Sequence, residues 1–89
     1  MTKEEAEQLL GKLFGEMYDE IFQFALAYLR NKQLAEEAVQ EVFYQAWCHA
    51  DTLAEHENKR GWIYNAAKNE IMKIRSKEAR VLKYETLTG

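Results

Sequence analysis

The side chains best suited to binding chemistry form two groups in separate parts of the sequence. In the first group, Gln40, Glu41 and Tyr44 follow Glu37 at offsets of three, four and seven residues. These offsets place all four side chains on one strip of an α-helix. Two carboxylates, an amide and a phenol arranged in this way can dock onto an arginine-rich protein surface through charge-assisted hydrogen bonds. The alternative is a solvated face, which every amphipathic helix needs.

The second group combines cations and amides and occupies the last third of the chain. Asn65 and Asn69 lie one helical turn apart, and their amides can bond to base edges. Trp62 and Tyr64 can supply a stacking surface for unpaired bases, although a tryptophan is more often a core anchor. The cations can neutralise phosphates or complement a helix dipole. They are Lys68, Lys73, Arg75, Lys77 and Arg80.

Metal and enzyme chemistry find little support in the sequence. Cys48 and His49 are adjacent, so on a helix they project about 100° apart, and His56 follows in a different segment. A zinc site needs four converging ligands, usually with closely spaced pairs. We therefore expect a packed thiol, two surface histidines and no metal or other cofactor. Neither a glycine-rich phosphate loop nor a recognisable serine, histidine and aspartate motif is present, so we expect no enzymatic activity.

Composition indicates one helical domain with two kinds of surface. The 89 residues are 47% hydrophobic and include no proline and four glycines, which favours helices over a turn-rich β fold. Residues 1–57 carry four Lys/Arg against twelve Asp/Glu (net −8), whereas residues 58–89 carry eight against three (net +5). This division suggests different partners for the two parts, or simply solubility. The acidic N-terminus, single cysteine and short apolar runs predict a cytoplasmic protein without membrane insertion.

The elements that position these groups are three predicted helices. Thr2 and Glu5 form a capping-box pattern for the first helix, which we expect to end near Arg30 and to bend or break at Gly11 or Gly15. Its predicted core stripe is Leu10, Phe14, Met17, Ile21, Ala25 and Tyr28.

Asn31 is the predicted N-cap of a second helix over residues 33–49, and Asn58 that of a third over residues 59–83. Residues 50–58 are predicted to form a loop. Short connections then give an all-α, compact antiparallel three-helix bundle. The second helix's core residues are Leu34, Ala35, Ala38, Val39, Val42, Phe43, Ala46 and Trp47; the third's are Ile63, Ala67, Ile71, Ile74 and Val81.

Three runs of this sequence resemble region 2 of the extracytoplasmic-function sigma factors. Residues 28–47 are similar to the family's signature, residues 18–25 to its first helix, and residues 58–69 to its N-P-R-A-W-L-Y-x-I-A-x-N segment. The likeness covers most of residues 14–76 in unbroken order. It implies a bacterial transcription initiation factor domain.

The resemblance implies a partner for each group of side chains. In the family, an acidic D-x-x-Q-E pattern docks on the β′ clamp helices of RNA polymerase. Here Glu37, Gln40 and Glu41 match it, and Tyr44 completes the expected polymerase-binding strip. The third helix and its preceding loop would recognise and melt the promoter −10 element and capture a flipped non-template base. The expected DNA-binding residues are His56, Asn58, Lys59, Arg60, Trp62, Asn65, Lys68, Asn69, Lys73, Ser76 and Arg80.

The sequence also departs from the family pattern. Lys59 replaces a proline, and Lys73 and Ser76 stand where the family has aspartate and arginine. The helix-turn-helix domain for the −35 element is not encoded in residues 1–89, so we expect a one-domain fragment of a longer factor; the alternative is a short relative that binds polymerase differently. An anti-sigma factor is a further candidate partner. One alternative function is a helical protein-interaction module, a regulator that retains the fold without promoter recognition. A general nucleic-acid binder is disfavoured, because the −8 charge of residues 1–57 would repel phosphate.

Overall fold

The computed structural model describes the backbone of residues 1–88 and the side chains of residues 1–79. Four helices follow one another: α1 (Lys3–Leu29), α2 (Lys32–Cys48), α3 (Ala50–Glu55) and α4 (Lys59–Thr88). No strand occurs within residues 1–88. The predicted all-α class and its three long helices are confirmed. The predictions for the side chains of Arg80, Val81 and Lys83 lie outside the described residues.

Polar side chains at the predicted positions begin the three long helices. The Thr2 hydroxyl accepts a hydrogen bond from the Glu5 backbone N–H (3.1 Å). Asn31 Oδ1 accepts one from the Leu34 N–H (3.0 Å), and Asn58 Oδ1 accepts one from the Gly61 N–H (2.9 Å). Each bond satisfies one of the amide donors that a helix start leaves without an intrahelical partner. The three predicted N-caps are therefore confirmed.

The predicted break of the first helix near Gly11 or Gly15 is wrong. α1 runs without interruption through Gly11 and Gly15, both of which are exposed. Leu10, Leu13 and Met17 flank these glycines and are buried against the rest of the bundle. Burial of three large side chains outweighs a helix-propensity cost of about 1 kcal/mol per glycine, so tertiary packing keeps the helix continuous through this segment.

The core lies where α1, α2 and α4 meet. Its fully buried large side chains come from all four helices, and no polar or charged residue is buried among residues 1–79. They are Met17, Ile21, Val39, Val42, Leu53 and Ile63. Most of the predicted core is confirmed, including Ala67 and Ile71 of α4. Because this core buries no polar group, its side chains contribute packing only. Any binding function must therefore lie on the surface.

Three predicted core aromatics instead remain largely exposed. The exposed fraction is 46% for Phe14, 54% for Tyr28 and 41% for Trp47. Leu13 and Leu29, which the predicted stripe omitted, are buried in α1. The smaller aliphatic side chains fit the closely packed centre, whereas the rings lie along its edge. Phe14, for example, contacts Phe43 edge-on with 5.1 Å between ring centroids.

The predicted loop over residues 50–58 is also partly wrong, because residues Ala50–Glu55 form α3. Leu53 is fully buried in the main core and Ala50 is buried beside it, three residues earlier. This spacing turns one face of a short helix inward. Six residues are too few to show a periodic pattern, so this element has no clear signal in the sequence.

Candidate protein-binding and nucleic-acid-binding surfaces

The predicted strip of α2 faces solvent along its whole length. Glu37, Gln40, Glu41 and Tyr44 are all exposed, and the exposed fraction of Tyr44 reaches 62%. Hydrogen bonding to the Cys48 thiol raises the pKa of Tyr44, and the negative charge of Glu41 adds to this effect. The ordinary tyrosine pKa of 10.0 already keeps this hydroxyl protonated at neutral pH, and the upward shift acts in the same direction. The strip offers a partner two acceptors, an amide and a phenol on one continuous ridge.

Two further exposed side chains, neither of them among the predicted site residues, extend this strip. Trp47 and Cys48 are exposed and lie seven residues after Gln40 and Glu41, two helical turns farther along the same side of α2. The prediction of a packed Cys48 thiol is therefore wrong. Their i+7 spacing was the available signal, but an aromatic and a cysteine were read as core types. An exposed tryptophan beside carboxylates is typical of a protein-binding surface.

The outer face of α4 carries the predicted amides and cations. Asn65, Lys68, Asn69, Lys73 and Ser76 are all exposed. Three of them converge on one cleft between α2 and α4. This cleft is lined by Gln45, Asn69, Met72, Lys73 and Ser76. Amide, hydroxyl and ammonium groups together can bond both to base edges and to phosphate oxygens.

The acidic strip and the cationic face meet along a second groove between α2 and α4. Glu37 and Glu41 line it from α2, and Lys73 and Lys77 line it from α4. Deeper in the same contact, Gln45 Nε2 donates a hydrogen bond to Glu70 Oε2 (3.3 Å). The two surfaces are therefore neighbours on one bundle, and a partner on either one lies close to the other.

The segment before α4 is held by its own hydrogen bonds. His56 Nδ1 accepts a bond from the Asn58 N–H (3.0 Å), and Lys59 Nζ donates to the His56 carbonyl (3.3 Å). Asn58 also caps α4 through Gly61, as described above. Three of the predicted DNA-binding residues thus shape the loop, and His56 and Asn58 remain exposed.

Arg60, another predicted DNA contact, is engaged within the chain. Its Nη2 lies 2.5 Å from Glu20 Oε2 of α1, and the Tyr64 hydroxyl donates to the same oxygen at 2.5 Å. Hydrogen bonds from Tyr64 and Arg60 lower the pKa of Glu20, while the bond to Glu20 raises the pKa of both partners. This cluster fixes the first turns of α4 against α1. Sequence spacing could not reveal it, because Glu20 and Tyr64 are 44 residues apart.

Trp62 is half-buried and packs against the main core. Its ring centroid lies 6.1 Å from that of His49 at the end of α2. This environment matches the core-anchor alternative for Trp62 more closely than an open stacking platform.

Within the described residues, no group of three or more His, Cys, Asp or Glu side chains is arranged to hold a metal ion. The described helices also include none with the length and apolarity that a membrane span requires.

Comparison with known families gives one match. The model of sigma-70 region 2 matches residues 13–81, which span α1 to α4 and both surfaces described above. No curated protein and no solved structure matches the chain significantly. Membership of this family implies interaction with RNA polymerase core and promoter DNA. The chain belongs to the sigma-70 region 2 family, a family of non-enzymatic domains that act in transcription initiation.

Proposed function

We propose that residues 1–89 form the region 2 domain of an extracytoplasmic-function sigma factor, which docks on the β′ clamp helices and opens the promoter −10 element. One observation carries the proposal. Within the span that matches the family, two neighbouring surfaces are exposed. They are the α2 strip of Glu37, Gln40, Glu41 and Tyr44, and the outer face of α4, which carries amides and cations. Such a factor acts in the cytoplasm, where the polymerase is, and an anti-sigma factor is a further candidate partner for the same surfaces.

The docking part of the proposal rests on the chemistry of the α2 strip. Glu37 and Glu41 lie one turn apart and can pair with arginines or lysines of the clamp helices, while Gln40 fixes the register. Tyr44 adds an exposed ring with a protonated hydroxyl. Aromatic side chains beside charged groups often contribute most of the affinity of a protein interface. The four residues together form a compact docking site on one helix.

The promoter part rests on the outer face of α4. Lys68 and Lys73 neutralise phosphates, and Asn65 and Asn69 bond to exposed base edges. Extruding a base from a duplex costs a few kcal/mol, which base contacts and stacking offset once polymerase holds the rest of the DNA. Ser76 adds a hydroxyl to the lining of the cleft.

The α3–α4 loop is the proposed site for the flipped base. His56, Asn58 and Lys59 hold this loop in one conformation through the bonds described above, so their contribution includes shaping it. Arg60 and Trp62 act mainly by positioning α4, since one is paired with Glu20 and the other packs against the core. Arg80 is proposed as a more distal phosphate contact from its place in the sequence.

The docking site is tested by reversing one charge. Glu41→Lys is expected to weaken capture of a β′ clamp-helix fragment at least tenfold in a pull-down titration or by interferometry, with an unchanged helical circular-dichroism spectrum. Glu7→Lys, which makes the same charge change at an exposed site on α1, is the matched control. Equal binding by the wild type and the Glu41 variant would show that the strip is not the docking site.

A protein-interaction module without promoter recognition is the second candidate, motivated by Lys73 and Ser76 at positions where the family has aspartate and arginine. Fluorescence anisotropy with −10-like single strands, with and without polymerase core, separates the two functions. The sigma-factor function requires sequence-selective binding that Asn69→Ala weakens. Clamp-helix binding without any preference among oligonucleotides would favour the interaction module instead.

A further inference from the structure

A third groove lies on the opposite edge of α4 from the two described above, between this helix and α1. It encloses about 200 Å³ and is lined by Phe24, Tyr28, Lys68, Ile71, Met72 and Arg75. Ile71 is buried at its base. Neither the docking strip of α2 nor the loop before α4 contributes to this groove, so the function proposed above leaves it unassigned.

The groove has an aromatic floor. Phe24 contacts Tyr28 edge-on, with 5.3 Å between centroids, and contacts Tyr64 in the same way at 5.3 Å. These contacts hold the Phe24 ring in place. Tyr28 and Met72, by contrast, are 54% and 66% exposed. Two large apolar side chains facing each other across a groove suit a flat apolar ligand.

Cations occupy the rim of the groove. Lys68 and Arg75 lie seven residues apart, two turns along one side of α4. Neither has an ion-pair partner among residues 1–79. A flat apolar floor between two positive charges matches a nucleobase flanked by its phosphates. A partner helix would need a longer groove with anchors over several turns, and about 200 Å³ suits one ring.

The α1–α4 groove adjoins the proposed DNA surface of α4, which further supports a nucleobase as its ligand. Met72 lines both this groove and the polar cleft of Asn69, Lys73 and Ser76. It therefore forms a ridge between an aromatic site and a hydrogen-bonding site on one helix. Exposed methionines are among the apolar side chains that proteins insert between bases to unstack them. A single strand crossing α4 would meet both sites in succession.

We propose that the α1–α4 groove captures one unpaired base of single-stranded DNA. The base lies against Tyr28 and Met72, and Lys68 and Arg75 hold the phosphates on either side. Met72 separates this base from its neighbour in the polar cleft. The inference rests on the proposed promoter function and adds a base site distinct from the α3–α4 loop.

Photo-crosslinking locates the site directly. Single strands carrying 5-iodouracil at successive positions are irradiated with the full chain, and tryptic peptides are mapped by mass spectrometry. One position is expected to crosslink to the peptides of residues 13–30 and 69–73, which contain Tyr28 and Met72. Crosslinks confined to residues 50–60, or the absence of crosslinks at every position, would overturn the assignment.

Variants separate this inference from the function on which it rests. Tyr28→Ala is expected to weaken single-strand binding about fivefold or more, because stacking on one aromatic ring contributes about 1–3 kcal/mol. Tyr28→Phe retains the ring and should bind like the wild type, and neither change should alter binding to a blunt duplex. An abasic nucleotide at the crosslinking position should abolish the difference between wild type and Tyr28→Ala.

Lys73→Glu provides the reference, because it tests the α4 face without touching the groove. If Lys73→Glu weakens single-strand binding and Tyr28→Ala does not, the groove inference is wrong and the promoter function stands. If neither variant matters, both are wrong. Preferential binding of an acidic, aromatic-containing peptide at Tyr28, with single strands unable to compete, would replace the base with a protein partner and overturn the inference.

Discussion

The Tyr64 hydroxyl of α4 donates a hydrogen bond to Glu20 Oε2 of α1, with 2.5 Å between the two oxygens. Arg60 pairs with the same carboxylate oxygen one turn earlier in α4. A single side chain of α1 thus holds the first two turns of the helix that carries the proposed DNA surface. This arrangement makes Glu20 a positioning residue for that surface.

Acid should weaken this link. The hydrogen bonds from Tyr64 and Arg60 lower the pKa of Glu20 below its ordinary value of 4.5. Its contribution to stability is therefore fully present above about pH 4.5 and is lost as the pH falls through the lower folded-state pKa. In thermal unfolding from pH 7 to pH 3, the Tm difference between wild type and Glu20→Gln should shrink towards the acid end. A constant difference would contradict the assignment.

Raising the pH should weaken the same link through Tyr64, the hydrogen-bond partner of Glu20. Hydrogen bonding to Glu20 raises the pKa of Tyr64 above its ordinary value of 10.0. Its contribution is present below pH 10 and is lost as the pH rises through the higher folded-state value. Ultraviolet difference titration at the tyrosinate band should show two late-titrating tyrosines in wild type, Tyr44 and Tyr64, and only one in Tyr64→Phe. Tyr28→Phe is the matched control and should retain both.

Leu53 links α3 to the main core, and its truncation should be costly. The side chain is fully buried, so Leu53→Ala is expected to lower the free energy of unfolding by about 2–5 kcal/mol through lost burial and an unfilled cavity. The adjacent exposed change Thr52→Ala should remain within about 0.5 kcal/mol of wild type. Urea unfolding followed by circular dichroism measures both. Similar midpoints for the two variants would mean that α3 does not pack as described.

Asn58 and Gly61 are expected to show coupled effects on stability. A β-carbon at residue 61 would contact Asn58 Nδ2 and lie 2.8 Å from Asn58 Cγ, so the cap and an alanine compete for one space. Asn58→Ala should cost about 0.5–2 kcal/mol through loss of the cap. Gly61→Ala should be neutral or destabilising alone but stabilising by up to about 1 kcal/mol when Asn58 is already alanine. Additive effects in this double-mutant cycle would contradict the contact.

Local signals in the sequence predicted the long helices and most of the exposed face of α4. The N-caps depend on a side chain and an amide three residues apart, and the solvent faces depend on helical periodicity, so both are visible in the sequence. The Glu20, Arg60 and Tyr64 cluster depends on how α1 and α4 cross, which no local pattern encodes. The exposed positions of Tyr28 and Trp47 were missed for a related reason. Residue type favoured the core for both, whereas the packed centre accommodates smaller aliphatic side chains.

The slope of the salt dependence of DNA binding should report how many phosphates α4 neutralises. Each contact to a single strand contributes about 0.7 to the slope of log affinity against log salt. Lys68→Ala should therefore reduce that slope by about 0.7 and weaken binding similarly for all sequences, whereas Asn69→Ala should leave the slope unchanged and reduce discrimination between bases. Lys12→Ala, an exposed cation of α1, is the control for bulk charge. Equal slopes for the Lys68 and Lys12 variants would mean that Lys68 contacts no phosphate. If the slope falls with Lys68→Ala while base preference is lost with Asn69→Ala, the two residues divide affinity and specificity on one face of α4.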